Sequence, residues 1–293
     1  MKPEKENGRA VCGVCPHHCE IPEGKTGRCR ARGNRNGTVV PLNYGVATSL
    51  ALDPIEKKPL RRFYPGSRIL SFGSYGCNLN CPFCQNWEIS MSDGSEYVRD
   101  RDGKAAEHTI TPEALTDMAL QLCSRGNIGV AFTYNEPTIA YEYVLDTAKL
   151  LKEKALKTVL VTNGCVNAEI ADSLLPWVDA LNIDLKSFQS DVYRDVLGGD
   201  LDTVREFIRK AAGCCHVELT CLIVPGMNDS EEEIRTMAKW IRSMPGGEEI
   251  PLHITRFFPR YRLTDRNPTE RRTVLRLAEA AGQELKYVFP GNL

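Results

Sequence analysis

"ILSFGSYGCNLNCPFC", residues 69–84, runs a short apolar strand into a loop with three cysteines in eight residues. A β-rich run that ends in a chemically loaded loop is the arrangement of parallel β/α sheets, whose sites sit at the carboxyl ends of the strands. Further short apolar runs follow at 129–133, 158–162, 179–183, 216–223, 251–255 and 285–289. Most are separated by segments with apolar residues three and four apart, the helical period. "TPEALTDMALQL" offers Thr111 as N-cap and Pro112 in the first turn, and "NDSEEEIRTMAKWIRSM" puts carboxylates early and cations late. The alternation predicts an α/β fold, a partial (β/α)6-type TIM barrel over residues 68–293. Residues 44–67, punctuated by prolines, read as an extended connector, and residues 1–43 as a small Cys-rich N-terminal metal-binding segment.

The polar or glycine-rich pieces fall where such a sheet needs them. "YNEPT" (134–138) follows the second strand, "TNG" (162–164) the third, "DLK" (184–186) the fourth, "PGMND" (225–229) the fifth and "RFFPRY" (256–261) the sixth. A chain of 293 residues, 42% hydrophobic, can bury one large core. Its net charge of −1 advertises neither nucleic acid nor an anionic membrane surface. It has no run of eighteen apolar residues, and "MKPEKENGRAVC" lacks an apolar leader, so the expected location is cytoplasmic. Twelve cysteines in such a chain point to metal or redox chemistry more than to structural disulfides.

Cys77, Cys81 and Cys84, spaced Cys-x3-Cys-x2-Cys, can hold three corners of a cubane iron–sulfur cluster and leave one iron open to a ligand that is not cysteine. A zinc site with a distant fourth ligand, or three core cysteines, are the alternatives. Cys12, Cys15, Cys19 and Cys29 form a closed set of four within eighteen residues, in a segment too poor in apolar residues to fold alone. Zinc would supply such a segment with folding free energy, and is the expected occupant; a second Fe-S cluster for electron entry is the alternative. Asp184 with Lys186 has a plain reading as a structural ion pair, "YNEP" as a helix start, and His253 as a satisfied structural histidine. Cys123, Cys165, Cys214, Cys215 and Cys221 read as buried small hydrophobes.

The cysteine trio after a first strand, with Phe83 before its last member, resembles the signature of radical SAM enzymes. "YNEPT" stands in the place of their Gly-Gly-Glu-Pro segment, and "TNG" and "DLK" resemble strand ends of pyruvate formate-lyase activating enzymes. "CPHHCEIPEGKTGRCRAR", "YGVATSLALDPIEKKPLRRFYPGS" and "CNLNCPFCQNWEIS" resemble the AmmeMemoRadiSam-system radical SAM enzymes, over about residues 12–289. The resemblance implies a 4Fe-4S cluster on Cys77, Cys81 and Cys84 and S-adenosylmethionine (SAM) on its open iron. Reductive cleavage of SAM would yield methionine and a 5′-deoxyadenosyl radical that abstracts hydrogen from a substrate. It also implies that Tyr134, Asn135 and Glu136 receive the methionine amino group. Asn163, Asp184 and Lys186 would hold ribose hydroxyls and the carboxylate. "LIVPGMND" would lie near adenine, and Arg256 near SAM or substrate. Tyr134 and Asn135 replace the glycine pair. Partners implied are an electron donor such as flavodoxin or ferredoxin, with Memo-like and AMMECR-type proteins or, alternatively, a glycyl radical protein that the enzyme activates. A non-catalytic zinc-binding module is the reading from a different class.

Overall fold

The computed structural model describes residues 8–98 and 109–293. Two short antiparallel pairs come first: β1 (Arg9–Val11) with β2 (Glu20–Pro22), and β3 (Arg32–Arg35) with β4 (Thr38–Pro41). The main sheet has eight strands. β5 (Ser49–Pro54) runs antiparallel to β6 (Arg68–Gly73). β7 (Asn127–Phe132), β8 (Lys157–Thr162), β9 (Ala180–Asp184), β10 (His216–Ile223), β11 (Leu252–Arg256) and β12 (Val288–Gly291) then add one after another in parallel, with β5 and β12 at the two ends. Helices α1 (Trp87–Ser90), α2 (Ser95–Val98), α3 (Pro112–Gln121), α4 (Tyr141–Glu153), α5 (Ala168–Leu174), α6 (Leu201–Ala212), α7 (Glu231–Arg242) and α8 (Arg271–Gly282) fall between the strands. Residues from the ends of β6 through β12 line one cavity, so the sheet curves around it. The fold is an α/β partial barrel.

The seven apolar runs all become strands, the last displaced to Val288–Gly291. The segment read as a connector contributes something the sequence reading omitted: β5, an antiparallel strand on the end of the sheet. Local chemistry explains the helices. The Thr111 side chain accepts the Ala114 N–H, with Pro112 in the first turn, and the Ser230 hydroxyl accepts the Glu233 N–H to start α7. α6 buries Leu201, Val204, Ile208 and Ala211, an i, i+3, i+7, i+10 stripe with Phe207 beside it. Leu201, Val204, Phe207 and Ile208 each contribute roughly 1.5–3 kcal/mol by leaving water. Two of the five cysteines expected inside are outside. Cys123 lies in the turn that ends α3 and Cys214 just past α6, and both are exposed; Cys165 and Cys221 are buried.

One buried carboxylate closes the far end of the sheet from the cavity. Glu218, on the first half of β10, accepts the N–H groups of Arg61 (3.0 Å) and Arg62 (2.7 Å), so it holds the segment after β5 against the strand. His216 and His253 reach it at 3.0 and 2.7 Å, which makes His253 a satisfied structural histidine. Burial works to raise the pKa of Glu218. The two histidines and the two N–H donors overcome that and hold it at about 2.

Candidate active site

Cys77, Cys81 and Cys84 lie on the loop after β6 and line a cavity of about 280 Å3 at the strand ends. The loop is held from several sides. Asn80 donates its N–H to Leu197 O (2.8 Å), and Pro82 O accepts the Arg262 N–H (2.9 Å). Asn78 is buried and donates to Cys165 O (2.6 Å). Burial raises Cys77 well above the usual thiol range and puts Cys81 at about 11. These thiols therefore stay protonated until a cation joins them.

The facing wall comes from the ends of β7, β8 and β9. Tyr134 has φ +73, the left-handed region where a side chain costs energy and glycine does not. The structure restrains it through its ring. The phenol donates to Asp53 Oδ2 (2.7 Å), and the buried Lys58 ammonium lies 4.5 Å from the ring centre while pairing with the same carboxylate at 2.9 Å. Gly73 leaves room for this ring, since a Cβ there would lie 2.7 Å from Tyr134 Cδ2. Asn135 staples two loops together: its Oδ1 accepts the Ser74 N–H, and its Nδ2 donates to Tyr75 O and Gly76 O.

Glu136 is 2% exposed and central. Its Oε1 accepts from the Thr138 N–H, the Thr138 hydroxyl and the Thr162 hydroxyl, while Oε2 accepts only the Asn163 N–H (2.7 Å). Burial raises its pKa, and these donors temper the rise. Asn163 donates to Asn78 Oδ1 (2.9 Å), with Cys77 Sγ at 3.6 Å. Lys186 Nζ lies 2.7 Å from Asp184 Oδ2, and both line the cavity. Burial disfavours the ammonium, but Asp184 more than compensates, so its pKa is raised and the charge persists. Asn228 of "PGMND" donates to Lys186 O (2.7 Å) and fixes the end of that strand.

Arg256 is the correction. It does not line the cavity; its Nε donates to Thr269 O (2.6 Å) and its guanidinium lies over Phe258. As the last residue of β11 it was placed at the rim by sequence order, which says nothing of where the side chain turns. Sequence reasoning also missed Asn78 and Asn86, and gave Thr162 no role beyond its place in "TNG". Asn86 donates to Tyr134 O (2.7 Å), which ties the cysteine loop to the opposite wall. The two asparagines were visible as polar residues beside the cysteines, in "CNLNCPFCQN".

Cys12, Cys15, Cys19 and Cys29 line a second, much smaller cavity of about 10 Å3. Burial raises Cys29 and puts Cys15 at about 11. Among the described residues no three or more Cys, His, Asp or Glu side chains gather at the spacing of a single ion's ligands, in either cysteine set.

The signature of the Radical SAM superfamily matches residues 72–241, which span β6 to α7. The chain belongs to the Radical SAM superfamily. It is a radical SAM enzyme, and the reading as a non-catalytic zinc module falls away. Members of the superfamily use a 4Fe-4S cluster and SAM. An uncharacterized protein of Methanocaldococcus jannaschii is 38% identical over 291 residues, 98% of this chain and 83% of its own. The pyruvate formate-lyase 1-activating enzyme of Escherichia coli is 26% identical over 191 residues, 64% of this chain and 74% of its own. The radical SAM core shares its fold with Streptococcus suis SuiB, at TM-score 0.54 and 14% identity over 74% of this chain and 47% of that one. No helix among the described residues is long and apolar enough to cross a membrane.

Proposed function

We propose that Cys77, Cys81 and Cys84 carry the 4Fe-4S cluster and that SAM lies between it and Glu136, Asn163, Asp184 and Lys186. The observation that carries this reading is that all seven line one cavity. The donor set fits. Three thiols leave one iron of a cubane open, and about 280 Å3 gives room beside them. Together, cluster and SAM supply one-electron cleavage to methionine and a 5′-deoxyadenosyl radical.

The chain's own residues bind and orient. Lys186 presents an ammonium to the methionine carboxylate and Asp184 an acceptor to ribose hydroxyls. Glu136 Oε2, with one donor in place, has a lone pair left for the amino group. The Tyr134 carbonyl, fixed by its restrained backbone, offers a second acceptor in exchange for Asn86. Leu79, Phe83, Val161 and Leu222 add apolar surface to a lining that is otherwise largely polar, and limit water where they stand. Arg256, which does not line the cavity, is left out of this reading.

The test is anaerobic reconstitution with iron and sulfide, then dithionite and SAM, with 5′-deoxyadenosine quantified by mass spectrometry. Product from the wild type and none from Cys81→Ala is expected. Equal product from both overturns the ligand assignment.

The substrate reading has two branches. Similarity to pyruvate formate-lyase activating enzymes favours a glycyl radical protein. A glycyl doublet in electron paramagnetic resonance (EPR), after incubation with such a protein, tests it. The AmmeMemoRadiSam resemblance favours Memo-like and AMMECR-type partners, to be tested by co-purification. A low-potential donor of the flavodoxin or ferredoxin class supplies the electron. The N-terminal four cysteines carry a second metal group.

A further inference from the structure

We propose that Asp53 and Lys58, at the end of β5 and just after it, are positioning residues of the SAM site. Acting through the Tyr134 ring, they aim the Tyr134 carbonyl at the methionine amino group. The inference rests on the SAM placement read above.

The backbone at Tyr134 needs holding. Its φ of +73 suits glycine, and a tyrosine there stores strain unless its surroundings fix it. Those surroundings are charged and buried. The phenol donates to Asp53 Oδ2 (2.7 Å), and Lys58 Nζ pairs with the same oxygen (2.9 Å) while lying 4.5 Å from the ring centre. The Lys58 side chain is only 3% exposed. Burial works to raise the pKa of Asp53, but Lys58 and the phenol overcome it and hold the carboxyl well below the usual carboxylate range. Burial and Asp53 together push the phenol up to about 12, so it remains a donor.

The peptide that carries Tyr134 O is thus gripped at both ends. Tyr134 is held by its ring, and Asn135 by its bonds to Ser74, Tyr75 and Gly76. A donor already reaches this carbonyl: Asn86 Nδ2 lies 2.7 Å from it, and both residues line the cavity. The amino group of SAM would take the place of that amide.

Lys58 is itself anchored. Its N–H donates to Ile55 O (2.9 Å), and the next residue, Pro59, accepts at its carbonyl from Asn182 (2.9 Å). Beyond it, Glu218 accepts the Arg61 and Arg62 N–H groups. Pro59 lines the cavity, so this segment lies directly against the site. Stability alone does not account for the arrangement. A buried ion pair gains little over well-packed apolar residues, and glycine would take this φ unaided. What the pair adds is a fixed direction for one carbonyl.

The experiment measures SAM affinity by isothermal titration on the full chain, reconstituted anaerobically with iron and sulfide, as a double-mutant cycle. Lys58→Met/Asp53→Leu removes both charges together, so no bare charge stays buried. It should weaken SAM binding about tenfold beside Tyr134. In the Tyr134→Gly background, where the ring that transmits the effect is gone, the same change should cost less than about twofold. In dithionite-driven cleavage it should raise KM for SAM and leave kcat within about twofold. Equal losses in the two backgrounds, or unchanged affinity in both, overturn the inference.

Two further variants keep the outcomes separate. Tyr134→Phe retains both charges and threatens the fold least; it should weaken SAM severalfold, and wild-type affinity there also overturns the inference. Glu136→Gln reports on the placement of the amino group and should weaken SAM in both backgrounds. Wild-type affinity in Glu136→Gln overturns the SAM placement itself. Weakened binding in Glu136→Gln beside an unaffected Lys58→Met/Asp53→Leu overturns only the role of the pair.

Discussion

Cys77, Cys81 and Cys84 share one loop beside about 280 Å3 of room, whereas Cys12, Cys15, Cys19 and Cys29 border a cavity of only about 10 Å3, shared with apolar Val14, Ile21 and Ile139. The first set stands where seven parallel strands end, and everything around it is held in place by the sheet. The second has no sheet of its own beyond strands of three and four residues. The count of thiols and the space they border differ together. Three thiols with room beside them suit an open iron that takes a ligand. Four thiols with little room suit a group complete in itself. A cysteine motif is thus read by what its surroundings leave for a further ligand, as much as by its spacing.

The comparison breaks most easily at Cys81. Cys81→Ala should lower SAM cleavage by more than about a thousandfold and leave the metal of the quartet in place, by metal analysis of the purified variant. Loss of both groups would mean that the sets are not independent. Gly76→Ala drives a wedge between them. With φ +85 and the Cys29 carbonyl in the way, it should cost about 2–4 kcal/mol in denaturant unfolding and reduce iron content.

Glu218 lies away from both sets and tests the sheet that carries one of them. Its folded pKa, about 2, is below the ordinary glutamate value of about 4.3, so its stabilisation is present above the latter and lost as pH falls toward the former. Wild-type stability should drop across that window, and Glu218→Gln should lose this component while being less stable at neutral pH by about 2–3 kcal/mol. Tyr134→Phe removes only the phenol bond to Asp53. A loss of about 1–2 kcal/mol is expected, with a severalfold weaker SAM affinity by isothermal titration and no change at the quartet. Ser230→Ala, at the N-cap of α7 and remote from both sets, should cost about 1 kcal/mol in melting experiments and leave metal content and cleavage unchanged.

The strands that build the cavity were legible because each is a short apolar run bounded by polar or glycine-rich residues, and because chemistry in such sheets concentrates at strand ends. β5 was not. "SLALDP" is six residues with a proline, on the end of the sheet, and half of its residues are only partly buried, so its apolar signal is weak. The ligand loop and Glu136, Asn163, Asp184 and Lys186 could be placed along the chain by their order. Their bonds could not: the link from Tyr134 to Asp53 and Lys58 joins residues about eighty apart, and no local pattern encodes it. Arg256 failed for the same reason in reverse. Its place at a strand end was right, but an acceptor thirteen residues on, Thr269 O, decided its direction. The choice between zinc and cluster at the quartet was beyond spacing altogether, since both take four thiolates.

The strand order of the main sheet is the chain order, from β5 to β12. That sequence is also a schedule. A chain made from its N-terminus lays down all seven cysteines of the two sets within its first 84 residues, before any of β7 to β12 exists. Glu136, Asn163 and Lys186 arrive later, each on the next strand added to the growing edge. Thr255 and Asn292, which complete the lining, arrive last. The ribosome therefore exposes the thiols well before their shelter is built. Loading either metal group is easiest, and damage by oxidants most dangerous, during that interval.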